Sequence, residues 1–271
     1  MIAYTPQLPD DEANVSRDHP LGELGKLIAG SLLSLLLLYY LLGIAVDLGV
    51  RYAPDQIDHW FAGWHPCAKS AGTSNPQQKR VNRILSRLTG NLPPGSPAYC
   101  VDVSPDKDIN AFALPGGHIQ FNQGLLRLAD SDEEVAYVLG HELGHFAHRD
   151  HLRSMGRGLL LGLLAGAAGI GSQDLGNMTA GILNLSERQF SRDQEAAADA
   201  FGLDLLSQTY GGVDGAIRFH QHLLALRDDP VTRALSFAAT HPSDEERLAK
   251  IRTMIRRKGY RLSGESQPGR P

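Results

Sequence analysis

Residues His141-Glu142-Leu143-Gly144-His145 carry two imidazoles four positions apart, with a carboxylate beside the first. On a helix that spacing turns His141 and His145 to one face, where both can hold a single ion. Glu142 then lies beside the ion and can take a proton from the attacking water. Two imidazoles, a third protein ligand and one open coordination position are what a zinc hydrolase needs. Two such histidines in a core or on a surface would hold no metal, so the flanking sequence must favour a helix. Ser131-Asp132-Glu133-Glu134 is a capping-box pattern, with Ser131 placed to accept from the amide of Glu134 and Glu134 to reach back. Val135, Val138, Leu139, Leu143 and Phe146 follow at helical spacing.

A third ligand is expected from His, Asp or Glu. The segment Ser191-Arg-Asp-Gln-Glu195-Ala-Ala-Ala-Asp199-Ala200 is alanine-rich and helical, with Gly211-Gly212 as a stop signal. Glu195 and Asp199 share a face. One of the two can bind zinc while the other accepts a hydrogen bond from the far nitrogen of a ligand histidine, fixing its tautomer. In isolation the same residues would read as a solvated acidic face. The alanines also allow a close approach to the first helix.

These motifs together resemble a known family. His-Glu-Leu-Gly-His, then Glu195-Ala-Ala-Ala-Asp199, then Thr240-His241-Pro242, preceded by Asn110-Ala-Phe-Ala-Leu-Pro-Gly-Gly117, are similar to the HtpX-type membrane-associated zinc metallopeptidases. Those are gluzincins, grouped with the CAAX prenyl proteases and the Oma-type mitochondrial peptidases. The likeness covers residues 78–257. It implies that His141, His145 and Glu195 hold one Zn2+, that Glu142 is the general base, that His241 lies near the site and that Asp199 supports a ligand. It also implies that Asn110, Ala111, Phe112, Ala113 and Leu114 form an edge strand along which an extended peptide lies. The several membrane spans of the prenyl proteases and of HtpX are absent from this sequence.

His241 precedes a helix start: Pro242 suits the first turn, and Ser243-x-x-Glu246 is a capping pattern. An imidazole held there can donate to the oxyanion of a tetrahedral intermediate, or it can simply pack. His118, His148, His151, His220 and His222 have no ligand-spaced partner and read as packing or hydrogen-bonding residues. His148 and His151 are expected to continue along the active-site helix.

The fold class expected is α+β, mainly helical: a gluzincin peptidase domain with a small β-sheet, preceded by a transmembrane helix. The order is an N-terminal tail (1–26), the membrane helix (27–46), a connector (47–77), the peptidase domain (78–260) and a disordered tail (261–271). Leu27–Val46 lacks a charge and would be about 30 Å long as a helix, enough to cross a bilayer. A cleaved signal peptide or a buried helix are the alternatives. Arg17 and Lys26 precede the span and Arg51 follows it, so the positive-inside rule leans by one charge toward an extracytoplasmic peptidase. Cys67 and Cys100 either pair, which suits that side, or stay as buried thiols. A second apolar run, Leu159–Gly171, is too short for a straight span. It is a buried helix behind the site, a membrane-dipping or lid segment, or a second span.

Gln78–Leu88 reads as an amphipathic helix, Tyr99–Val103 as a strand, and Ala111–Leu114 with His118–Phe121 as a hairpin around Pro115-Gly-Gly117. The basic helix near Glu246–Arg257 reads as a solvated face. A net charge of −4 and the lack of a basic arm argue against nucleic acid as a partner. The expected activity is hydrolysis of peptide bonds in unfolded or membrane-associated proteins by a membrane-anchored zinc metalloendopeptidase. A catalytically silent zinc scaffold and a hydrolase of other amides are the rivals, and the intact Glu142 and the edge strand weigh against them.

Overall fold

Helix α4 (Asp132–Ala147) starts where the sequence places it. Ser131 Oγ accepts from the Glu134 amide at 3.3 Å, and three acids in the first turn face the positive end of the helix dipole. The reciprocal arm differs from expectation. Glu134 reaches back to the amide of Asp130, at 3.4 Å, and its other oxygen takes the Ser131 hydroxyl at 3.1 Å. Arg218 pairs with it at 3.2 Å, so a fully buried carboxylate keeps a counter-charge. Val135, Val138, Leu139 and Leu143 are at most 1% exposed, and each contributes on the order of 1.5–3 kcal/mol by burial.

The computed structural model describes residues 20–53, 75–167 (side chains only to 158), 190–226, 241 and 245–262. Besides α4 these form α1 (Pro20–Tyr52), α2 (Pro76–Thr89), β1 (Cys100–Ser104), β2 (Ala111–Leu114), β3 (His118–Asn122), α3 (Gln123–Leu128), α5 (Asp150–Ala167), α6 (Arg192–Tyr210), α7 (Asp214–Ala225) and α8 (Glu245–Lys258). The chain is mainly helical with one small sheet, as expected. It divides into two units, Met1–Asp47 and Leu48–Pro271. Helix α1 begins earlier and ends later than the charge-free run. Among the described residues it is the one helix long and apolar enough to cross a membrane. Residues 1–19, 54–74 with Cys67, 168–189, 227–240, 242–244 and 263–271 lie outside the described residues, and with them most of both expected tails, most of the connector and the end of the second apolar run.

The sheet has the order β1-β3-β2, with β1 parallel and β2 antiparallel to β3. The β2–β3 turn uses Gly116 and Gly117 at φ 88° and 78°. A Cβ at Gly117 would also come within 2.5 Å of the Ala98 carbonyl, so no other residue fits there. Asn122 N–H donates to Asn110 C=O at 2.9 Å. Hydrogen-bonded pairs recur every second residue, so Phe112 and Leu114 also bond to β3. Ala111 and Ala113 therefore turn their main-chain groups to the outer edge, which no described strand pairs.

Helices α4 and α6 cross with almost no side chain between them. A Cβ on Gly144 would lie 2.8 Å from Ala198 Cα, and one on Gly140 would lie 3.1 Å from Gly202 Cα. This contact brings Glu195 and Asp199 to the histidines. Helix α6 starts at a full capping box from Ser191 and Gln194 and stops at Gly211, φ 77°.

One expectation fails. His148 and His151 do not continue the active-site helix. Helix α4 ends at Ala147, His148 caps it, and Arg149 adopts φ 58° before α5 begins at Asp150. A residue in the left-handed region cannot propagate a right-handed helix, so the chain turns here. His151 belongs to α5, and the turn carries Asp150 back beneath His145.

Candidate active site

Four side chains from three places in the chain meet at one point. His141 and His145 come from α4, Glu195 from α6, and His241 from the segment ahead of α8. Each is buried. One donor atom from each lies within 4.8 Å of all the others. His141 Nε2 is 3.1 Å from His145 Nε2 and 3.2 Å from His241 Nδ1. His145 Nε2 and His241 Nδ1 are 3.4 Å apart, and Glu195 Oε1 is 2.9 Å from His241 Nδ1 and 3.6 Å from His145 Nε2. A tetrahedral ion with bonds of about 2.0–2.1 Å needs donor separations of roughly 3.3–3.4 Å. The donor set therefore fits a small divalent cation in both chemistry and size.

The far nitrogen of each ligand-spaced histidine is tied down. His141 Nδ1–H donates to Asp199 Oδ1 at 3.0 Å, and His145 Nδ1–H donates to Asp150 Oδ2 at 3.0 Å. Both rings thus present a lone pair on Nε2 to the cluster. Asp150 is steadied in turn by Gln194 at 2.7 Å and Arg153 at 3.1 Å. Asp199 accepts from Tyr137 at 2.8 Å and from both sides of the Arg247 guanidinium, at 2.9 and 2.7 Å. The Tyr137 oxygen lies 3.0 Å from His220 Nε2. Burial alone would raise the Asp199 carboxyl, but Arg247 and His141 hold it well below the usual range.

Glu142 has a different environment. It is fully buried, and neither carboxylate oxygen has a hydrogen-bond partner among the described residues. Its Oε1 lies 3.7 Å from His241 Nε2. Burial pushes its carboxyl up to about 8, against the lowering exerted by His145, the Ala113 amide and Arg247. An orphaned buried carboxylate beside a donor cluster is the pattern left for a water or an ion. Phe190 closes one side of the cluster, stacked on the His145 ring at 4.0 Å.

Two families of solutions share this geometry: closed structural metal sites and hydrolytic ones. Residues 75–255 match peptidase family M48. The chain belongs to that family. It is 31% identical over 194 residues to the metalloprotease YcaL of Escherichia coli, covering 68% of this chain and 72% of that protein. It is 30% identical over 203 residues to the metalloprotease LoiP of the same organism, covering 72% and 77%. To the mitochondrial metalloendopeptidase OMA1 of Schizosaccharomyces pombe it is 29% identical over 178 residues, covering 65% and 52%. As an M48 peptidase the chain is a metalloendopeptidase, and the four-donor cluster is its metal-compatible site.

The structure brings His141, Glu142, His145, Glu195, Asp199 and His241 together, and it sets β2 alongside with Ala113 near Glu142. His241 is placed differently from an oxyanion donor poised opposite a metal: its Nδ1 stands inside the donor cluster. Burial drives its pKa down to about 3, so this ring is neutral. His118 pairs with Asp102 at 2.8 Å and His222 with Glu134 at 3.1 Å, away from the cluster. Asp150, Gln194, Tyr137 and Arg247 were missed from the sequence, whereas His220 is the hydrogen-bonding histidine expected. Arg247 did leave a signal. It lies in register with Ile251 and Ile255 on the apolar face of α8, so it was not part of the solvated face. Asp150 left none, because it depends on the turn at Arg149.

Asp150→Ala should weaken zinc binding about 10–100-fold by freeing the His145 ring. Chelator competition measures it, and unchanged affinity in a folded variant would remove the role given to Asp150.

Proposed function

We propose that the chain is a membrane-anchored, zinc-dependent endopeptidase, with Zn2+ held by His141, His145 and Glu195. The observation that supports this most directly is the donor set itself, matched to tetrahedral spacing, with the unpartnered Glu142 carboxylate beside it. Bound zinc supplies a polarising positive charge and a nucleophilic water near neutral pH. Glu142 would take a proton from the attacking water and pass it to the leaving nitrogen. Asp199 and Asp150 hold the two rings in the metal-binding tautomer. Four protein donors would leave no position for water, so His241 would leave the donor cluster in turnover and would then donate to the developing oxyanion.

The substrate is an extended peptide paired with the outer edge of β2, which no described strand occupies. Ala111 and Ala113 offer the outward main-chain groups, and Asn110 Oδ1 covers the Ala111 amide at 2.9 Å until a peptide replaces it. Pairing through backbone favours unfolded segments over a fixed sequence. This agrees with the quality-control role that the resemblance to the HtpX- and Oma-type peptidases implies.

Helix α1 is the anchor, and the peptidase unit faces the extracytoplasmic side. The one-charge bias across the span supports that side, and so does Cys100, which is disulfide-bonded. Cys67, the chain's other cysteine, lies outside the described residues.

Full-length protein in detergent should degrade casein or a reduced, unfolded protein with zinc present and stop when chelated. Activity that survives complete chelation would sink the metal mechanism. A single-pass protein whose engineered catalytic-domain cysteines label only from the cytoplasm would reverse the side.

A further inference from the structure

Arg247 is 7% exposed and reaches the back of the metal cluster from α8. Its Nε and Nη2 form a fork on Asp199, at 2.9 and 2.7 Å, leaving Nη1 to a second carboxylate. Nη1 lies 2.5 Å from Glu195 Oε2. That ion pair is the shortest polar contact of Oε2, which also lies 3.6 Å from His141 Nε2. The other oxygen, Oε1, faces His241 Nδ1 at 2.9 Å and His145 Nε2 at 3.6 Å. The two Glu195 oxygens are thus held unequally: Oε2 carries the guanidinium ion pair at 2.5 Å and meets the cluster only at 3.6 Å from His141 Nε2, whereas Oε1 reaches 2.9 Å from His241 Nδ1.

We propose that Arg247 is a positioning residue that makes Glu195 a one-oxygen metal ligand. A carboxylate on zinc binds through one oxygen or both, and a second bond raises the coordination number before substrate arrives. With Oε2 engaged by Arg247 although it borders His141 Nε2, Oε1 is the oxygen left to bond the metal. The same guanidinium grips Asp199, which orients His141, so a single planar group sets the direction of two of the three proposed ligands. Glu195 and Asp199 lie one turn apart on α6, and between them the guanidinium also offsets the repulsion of two buried carboxylates. Only arginine can do all three at once. A lysine is a point charge without the fork.

This inference rests on the zinc reading above, and the test separates the two. Wild-type, Arg247→Lys and Arg247→Gln proteins are stripped, refilled with cobalt(II) and compared by visible absorption, with circular dichroism as the check on folding. Cobalt(II) absorbs strongly in a tetrahedral site and more weakly at higher coordination. Both variants should show weaker, shifted bands as Oε2 turns to the metal, and Arg247→Gln should bind zinc about 10–100-fold more weakly. Folded variants with wild-type spectra overturn the proposal. If neither variant folds, X-ray absorption of the zinc-loaded wild type decides. One short carboxylate oxygen at the metal supports the proposal, and a two-oxygen carboxylate overturns it. A wild-type protein that takes up neither zinc nor cobalt refutes the zinc reading, and this inference falls with it.

Discussion

Glu142→Gln protein will bind zinc as the wild type does and lose turnover by about 100–10,000-fold, the range a positioned general base supplies. The amide fills the same space, so the packing of α4 is untouched. It cannot accept a proton, so water attack loses its base. The role split is legible in the geometry. The Glu142 oxygens are buried and unpartnered, whereas the donor atoms of His141, His145 and Glu195 crowd within 4.8 Å of one another together with that of His241. Burial holds the Glu142 carboxyl up near 8, and a divalent cation alongside would pull it down toward the charged form. Wild-type Glu142 is therefore ready to act only when the site is loaded. Zinc content and initial rate, measured on the same preparation, decide the matter. Zinc-free Glu142→Gln protein with its fold intact would falsify the separation of base from ligands.

The parts of this fold that sequence could reach are those governed by local rules. The start of α4 follows from Ser131 and its acidic first turn, the stop of α6 from Gly211, and the β2–β3 turn from paired glycines that alone tolerate φ near 80°. The ligand face of α4 follows from a spacing of four. The close α4–α6 contact was foreshadowed by alanines, although its tightest points are Gly140, Gly144 and Gly202. What escaped was whatever depends on chain reversal or on a long side chain crossing the core. The turn at Arg149 is made by a residue with no sequence preference for φ 58°. It sends α5 off and leaves Asp150 under His145, a contact that spacing cannot foresee. Arg247 joins α8 to α6 across more than forty residues of chain, and the charge looked like surface because most arginines are. Tyr137 and His220 extend the same buried network from α4 to α7, each satisfying a group that would otherwise be stranded.

Alanine at His141, at His145 or at Glu195 should leave the protein without zinc and without activity, while alanine at His241 should leave the zinc in place. The four donors look alike by distance, but they are held differently. His141 and His145 project from one face of a buried helix, each with its outer nitrogen pinned by a carboxylate. Glu195 projects from a helix packed backbone to backbone on α4, Gly144 against Ala198. His241 is in none of the described helices. Its Nδ1, the nitrogen a carboxylate would need to grip, is the one turned into the cluster, and its Nε2 points toward Glu142. A donor held this way is the one that can be surrendered when water must enter. Once displaced, the imidazole would be free to donate to the oxyanion. His241→Ala should therefore lower turnover by about 100–1000-fold, the loss expected for one oxyanion donor. Metal analysis after gel filtration reads the first half, and steady-state rates on an unfolded substrate read the second. Zinc lost from His241→Ala would make this histidine a fourth structural ligand. Wild-type or faster turnover would reduce it to a group that merely blocks the water position.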